Sequence, residues 1–388
     1  MRRISLISAV AVALFVPALQ AQQPATDGPY KVLQRAKVGG EGGTDYIYAD
    51  VDGRRLYITR NTVRAVPATD STPARDAIPG RVSVFNLETL ALIGEVPGIA
   101  GNGATVDPKS GHGFTSNHPD VSMFDTKTLQ PLKNIKADSG FAPDGIHTDS
   151  YNQRVYVFSH PSKSAGVFDA KEGTYIGSID LGGVPEQGVA DGKGTLYVVM
   201  QDGEGSVTKV DVKTMKATAH FPFGDKGGSC NGLALDVKNH ILFAACAASG
   251  GLQPAQQMPN GQMAPQRQLP TKPQMVILSA DDGHIITTLP LAGGSDGAAF
   301  NPATMEAFSA HGNGTMTIVK ENSPTSFEVE QNLQTMNGAR TLTLDSKTGH
   351  IFVMSVERGP APPPPPGGGR GAGAPAIPGS FTILMIGK

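Results

Sequence analysis

Apolar residues run along this chain in short stretches, rich in β-branched and aromatic side chains and cut off by Gly, Pro, Asp and Asn, a pattern that predicts strands and argues against long helices. One arrangement returns seven times. An Asp or Asn is followed, after a short turn, by an apolar position and then Tyr or Phe: Asp50 with Tyr57, Asp107 with Phe114, Asp149 with Tyr156, Asp191 with Tyr197, Asp236 with Phe243, Asn301 with Phe308, and Asp345 with Phe352. Successive anchors lie 57, 42, 42, 45, 65 and 44 residues apart, which is a repeat near 42 to 45 with two enlarged intervals. Before each anchor stands a small and apolar run, such as Gly232-Leu233-Ala234-Leu235, and after it turn residues such as Pro108-Lys109-Ser110-Gly111. A third strand follows, as in Val82-Ser83-Val84-Phe85-Asn86, and then a fourth, as in Ala91-Leu92-Ile93-Gly94-Glu95-Val96. Four short antiparallel strands per copy and seven copies predict an all-β fold, a seven-bladed β-propeller.

The last copy has only three strands of its own, ending in Phe381-Thr382-Ile383-Leu384-Met385-Ile386, while residues 32–38 form an unpaired strand near the N-terminus. Pairing the two closes the ring and removes two exposed edges. A single propeller domain is expected over residues 28–388, with insertions at about 62–80, 247–274 and 356–379, each between the second and third strands of a blade. The recurring anchor is expected to hydrogen-bond the backbone of its own hairpin turn, and the aromatic to pack between blades.

Composition narrows the setting. Arg2 and Arg3 precede an apolar run over 4–16, and the segment closes in small residues at Ala21, which reads as a cleaved secretory signal over 1–21. That run has 13 residues, too few to span a bilayer, so a soluble periplasmic or extracellular protein is expected, a monomer without a transmembrane segment. Lys plus Arg total 32 against 34 Asp plus Glu, with no basic run, so nucleic acid is not an expected partner. The chain has no Trp, which argues against blades signed by a repeated Trp. Of 30 Pro and 48 Gly, 8 and 7 fall in residues 359–379, where Pro362 to Pro366 form a stiff segment before three glycines.

Cys230 stands six residues before Asp236 and Cys246 ten after it, opposite one another in a hairpin, so a disulfide is geometrically possible in an oxidising compartment; two buried thiols are the alternative. Two further motifs carry no chemistry. Gly293-Gly294-Ser295-Asp296-Gly297 matches a nucleophile-elbow pattern but opens an inner strand instead of a strand-to-helix turn. Gly39-Gly40-Glu41-Gly42-Gly43 is followed by neither Lys nor a helix and reads as a blade-joining loop.

A functional site is expected where inner strands begin and second strands end, on one face around the channel. The first set, about five residues before each anchor, is Asp45, Asn102, Asp144, Gln187, Asn231, Asp296 and Arg340, all polar. The second, ten or eleven after, includes Arg60, His118, His160, Gln201 and His311. Asp144 and Asp296 are positioned to orient His160 and His311 or to join them on a divalent metal; a hydrated ring of strand caps is the plainer alternative. No HExxH or paired CxxC spacing is present. All three insertions should emerge on this face, where binding resides; the second carries Met258 and Met263.

Tyr57-Ile58-Thr59 with Val82-Ser83-Val84-Phe85-Asn86, Phe114-Thr115-Ser116-Asn117 running into Val121-Ser122-Met123-Phe124-Asp125, and Pro143-Asp144-Gly145-Ile146 resemble the YVTN-repeat, YncE-like family of secreted seven-bladed propellers over about residues 30–388. That resemblance implies an exported propeller with a binding or surface role and no shared catalytic set. The expected function is binding of a protein or small-molecule partner on the insertion-bearing face at the channel. The alternative is a metal-dependent hydrolase of lactonase type, drawing on Asp144, His160, Asp296, His311 and His118.

Overall fold

The computed structural model describes residues 26–68, 73–201, 203–247, 262, 272–361 and 374–388. These form 28 strands and one short 3-10 helix, Gly224–Lys226. The strands make seven four-stranded antiparallel sheets, each built from consecutive strands except the last. The innermost strands, in order, are Ile47–Asp50, Ala104–Asp107, Pro143–Asp149, Pro185–Ala190, Cys230–Asp236, Ser295–Asn301 and Leu342–Asp345. They ring a central channel, and the blades are numbered here by this order.

The ring closes as the sequence predicts. Lys31–Lys37 pairs antiparallel with Thr382–Gly387 and becomes the outer strand of blade seven. The residue before it is clamped to blade six: the Tyr30 hydroxyl donates to Glu306, which also accepts from Lys388 Nζ at 2.7 Å. The Gln331 amide bonds both the N–H and the C=O of Tyr30, each at 2.9 Å. Thr382–Gly387 is thereby paired on both of its edges.

Every anchor does the same local work. A backbone N–H two or three residues on donates to the anchor side chain at Asp50, Asp107, Asp149, Asp191, Asp236, Asn301 and Asp345. This bond holds turns in which the fourth residue after the anchor is left-handed, at Arg54, Gly111, Gln153, His240, Met305 and Gly349. Four of those six are not glycine, a conformation that costs an L-residue roughly 1–2 kcal/mol and that the anchor bond helps to offset. The aromatics that follow are buried between blades, as where Tyr57 of blade one meets Phe124 of blade two with ring centres 5.9 Å apart.

Cys230 and Cys246 are register partners in blade five and are joined by a disulfide. Ser295 is buried, its hydroxyl donating to the Gly297 carbonyl. The long connections, 61–80, 247–273 and 356–381, run from second to third strands in blades one, five and seven. The first folds back on itself through Val63 with Ile78 and Val66 with Arg75, the third through Arg358 with Ala376. The expected signal over 1–21, Met258, Met263 and Pro362 to Pro366 lie outside the described residues.

Candidate functional site

Strand alternation decides which residues reach the channel mouth. Side chains switch faces at every step, so a one-residue offset exchanges rim for interior. The tenth residue after the anchor is Arg60, Ser159, Cys246, His311 and Ser355 in blades one, three, five, six and seven, and all five are buried. The eleventh includes His118 and His160. Blade four has a turn one residue shorter, so Met200 and Gln201 take these two places, as the pairing of Met200 with Pro185 and of Ser159 with Pro143 shows.

Two residues expected at the rim are therefore interior. His311 is fully buried, with Nδ1 3.0 Å from Thr315 Oγ1 and Nε2 3.2 Å from Ser309 Oγ, and its ring nitrogens are bonded to these hydroxyls and not to Asp296. Burial drives its imidazole down to about 3, so the ring is neutral. Arg60 lies over Phe381, its guanidinium carbon 3.8 Å from the ring centre, and bonds the Gly42 and Gly39 carbonyls. The glycine loop wraps it. At Gly42, with φ at +113°, an added Cβ would sit 2.5 Å from the Asn61 carbonyl oxygen. Burial, with Arg81 nearby, pulls the Arg60 guanidinium down to about 10. His118 is exposed in the turn before Val121–Asp125 and joins no cluster.

The residues five before the anchors form two hydrogen-bonded arcs that together take one residue from every blade. In the first, Asn231 donates to Asp296 at 2.6 Å, Asp296 meets Arg340 at 2.6 Å, and Arg340 reaches Asp45 at 3.0 Å. Burial pushes the Asp45 carboxyl up to about 6, against the attraction of Arg340 and helped by Asp144, Asp296 and Glu186. In the second, Asn102 donates to Asp144 at 2.6 Å, and His160 Nε2 lies 2.9 Å from Asp144 Oδ2 and 2.8 Å from Glu186 Oε2. Those carboxylate bonds carry the His160 imidazole up to about 10 despite burial. Burial raises the Asp144 carboxyl, but the bonds from His160 and Asn102 outweigh it and hold it below its ordinary value.

Glu186 is the residue sequence reasoning missed. It lies five before Asp191, in the same register as Asp144, Asn231 and Asp296, and a strict offset of five finds it. Gln187, chosen instead, stands one step further in, where blades three, five and six have glycine. From there its amide crosses the channel: Oε1 accepts from the Leu233 and Ala298 N–H groups at 3.0 and 3.1 Å, and Nε2 donates to the Ala298 carbonyl at 3.0 Å. Tyr46 also spans the channel, donating to Glu186 Oε1 at 2.7 Å, while Gln201 donates to Glu186 Oε2 at 2.8 Å. Below these bridges a cavity of about 380 Å³ follows the inner strands and includes His147, whose Nε2 has no partner. Burial lowers that imidazole to about 4.

A second cavity, about 740 Å³, opens at the mouth between blades one and seven. Its walls are the glycine loop, Asp45 and Arg340 of the rim, Val63 and Arg75 of the first long connection, and Arg358 with residues 375–378 of the third. Arg60, Arg75, Arg340 and Arg358 line it against Glu41 and Asp45, giving it an excess of positive charge.

No known family profile matches the chain, and no curated protein matches it in sequence. Solved structures do match it in shape. The RRP9 WD40 repeats superpose with a TM-score of 0.63 at 10% identity, over 94% of this chain and 99% of that one. The Pan2 WD40 domain of Neurospora crassa gives 0.59 at 12%, over 93% and 96%. A chain of the Kuenenia stuttgartiensis hydrazine synthase gives 0.60 at 16%, over 86% and 95%. At such identities the likeness is one of fold. The blades of this chain carry no Trp and are held by the Asp-turn-aromatic unit instead.

Proposed function

We propose that this chain is an exported, monomeric binding protein whose ligand docks on the face carrying the three long connections, at the channel mouth between blades one and seven. The cavity lined by four arginines carries this reading. A concave site with a few convergent polar groups is the usual form of a ligand pocket, and guanidinium groups favour a small molecule or peptide bearing a carboxylate or similar anion. Solved neighbours of this shape include a chain of a mitotic checkpoint complex, consistent with propellers serving as binding platforms. Export rests on the charged, apolar and small-residue order of the first 21 residues.

The test is a thermal-shift screen of the mature protein against small organic acids and acidic peptides, with uncharged analogues as controls. The expected result is stabilisation by one anionic class, lost in Arg340→Ala. A panel without any shift contradicts the reading. A lactonase-type hydrolase would draw on Asp144 and His160, which do meet, but not on Asp296 and His311, which do not. Turnover of a lactone and ester panel, abolished by chelator, would favour that enzyme over the binding protein.

A further inference from the structure

The second arc has a geometry that hydrogen bonding alone does not complete. Three atoms from three chain segments converge on His160 Nε2: Asp144 Oδ2 at 2.9 Å, Glu186 Oε2 at 2.8 Å and Gln201 Nε2 at 3.1 Å. One ring N–H makes one linear bond, so at most one of these contacts is fully used. The contact with Gln201 sets two nitrogen donors against each other when the imidazole is protonated. The outer oxygens, by contrast, are fixed: Asn102 holds Asp144 Oδ1 and Tyr46 holds Glu186 Oε1, each leaving its partner oxygen turned toward the same point. Outer-shell donors that orient the inner ligand atom in this way are a regular feature of metal centres.

We propose that Asp144, His160 and Glu186 form a binding site for a divalent transition-metal cation at the channel mouth. Their ligand atoms lie within 4.8 Å of one another. Atoms bonded to a common cation at about 2.1 Å stand about 3.0–3.4 Å apart in octahedral or tetrahedral arrangements, so the two contacts of His160 Nε2, at 2.9 and 2.8 Å, have only to widen slightly. One imidazole and two carboxylates suit Mn²⁺, Fe²⁺, Co²⁺ or Zn²⁺ better than Ca²⁺ or Mg²⁺, which prefer all-oxygen sites. Turned over about its Cγ–Cδ bond, the Gln201 amide presents Oε1 to the same point as a fourth ligand and removes the clash of donors. The cation takes the place of the imidazole proton. The site is separate from the arginine-lined cavity and does not depend on the anionic ligand proposed for it.

The experiment strips the full mature protein with chelator and titrates it calorimetrically with Mn²⁺ and Zn²⁺, with Ca²⁺ as control, alongside His160→Gln and Glu186→Gln. One equivalent is expected for the transition metals, with affinity lowered at least about tenfold in each variant. Dissociation constants weaker than about 1 mM for both ions, or binding unchanged in both variants, overturns the proposal. Should either variant unfold, the wild-type protein decides: substoichiometric Mn²⁺ is expected to broaden the His160 ring resonances ahead of those of the surface histidines His240 and His284. Broadening of the surface histidines first, with His160 spared, also overturns it.

Discussion

His311 ends the second strand of blade six and His160 stands just past the end of that of blade three, one residue apart in register, and their fates are opposite. His160 stands at the rim between two carboxylates and holds a proton to about 10; His311 is buried between two hydroxyls and stays neutral to about 3. Residue type and blade position are alike in the two cases. What differs is the face of the strand, and with it the choice between an electrostatic site and a packed core. Blade four repeats the lesson in Glu186 and Gln187, where one step separates a member of the rim cluster from a bridge across the channel.

The most drastic way to break this comparison is to open the ring, since both environments need seven blades in register. Deleting residues 28–38 removes the outer strand of blade seven and the Tyr30 clamp, and the expected outcome is aggregation on expression. A soluble truncation with an unchanged melting temperature would contradict the closure. Next in size is His311→Ala, which empties a buried site and strands the Ser309 hydroxyl, while Thr315 keeps its bond to Asn313. A loss of about 2–4 kcal/mol in urea unfolding is expected. His160→Ala at the partly exposed rim should cost no more than about 1 kcal/mol. Equal losses at the two sites would remove the distinction.

The pH dependence sharpens the comparison, because the two histidines act with opposite sign. An unfolded histidine takes its proton near 6.5, whereas His311 waits until about 3. Below 6.5 the unfolded chain binds the extra proton, and stability falls by up to about 1.4 kcal/mol per pH unit toward about 3. His147, held to about 4, adds to the same acid slope. His160 is raised instead, so its contribution is full below 6.5 and is lost as pH climbs through about 10. Urea midpoints measured from pH 4 to 10 should lose part of the acid slope in a folded His311→Gln variant and part of the alkaline slope in His160→Gln. Slopes that do not respond to either change would count against the assignment.

The blades were legible because each repeats one local device, an Asp or Asn side chain capping its own turn, and local hydrogen bonding is written in adjacent residues. Closure was legible because an odd strand at each end has one economical partner. The site was legible only to within a residue. Counting back five from Asp191 yields Glu186, but the shorter turn of that copy blurred the count. The burial of Arg60 depends on Phe381, far away in the chain, which no local spacing displays, and that of His311 on which side of its strand it occupies, which the offset of one residue decides. The missing Trp did not obscure the architecture, since the buried aromatic after each anchor is Tyr or Phe.

One measurement reaches the centre of this account: the ring C–H resonances of His160 and His311 followed by NMR against pH in metal-free protein, each assigned by its Gln variant. The account predicts that His160 stays charged through neutrality and titrates toward about 10, while His311 shows no titration until the pH approaches about 3. Two histidines that both titrate near 6.5 would contradict it.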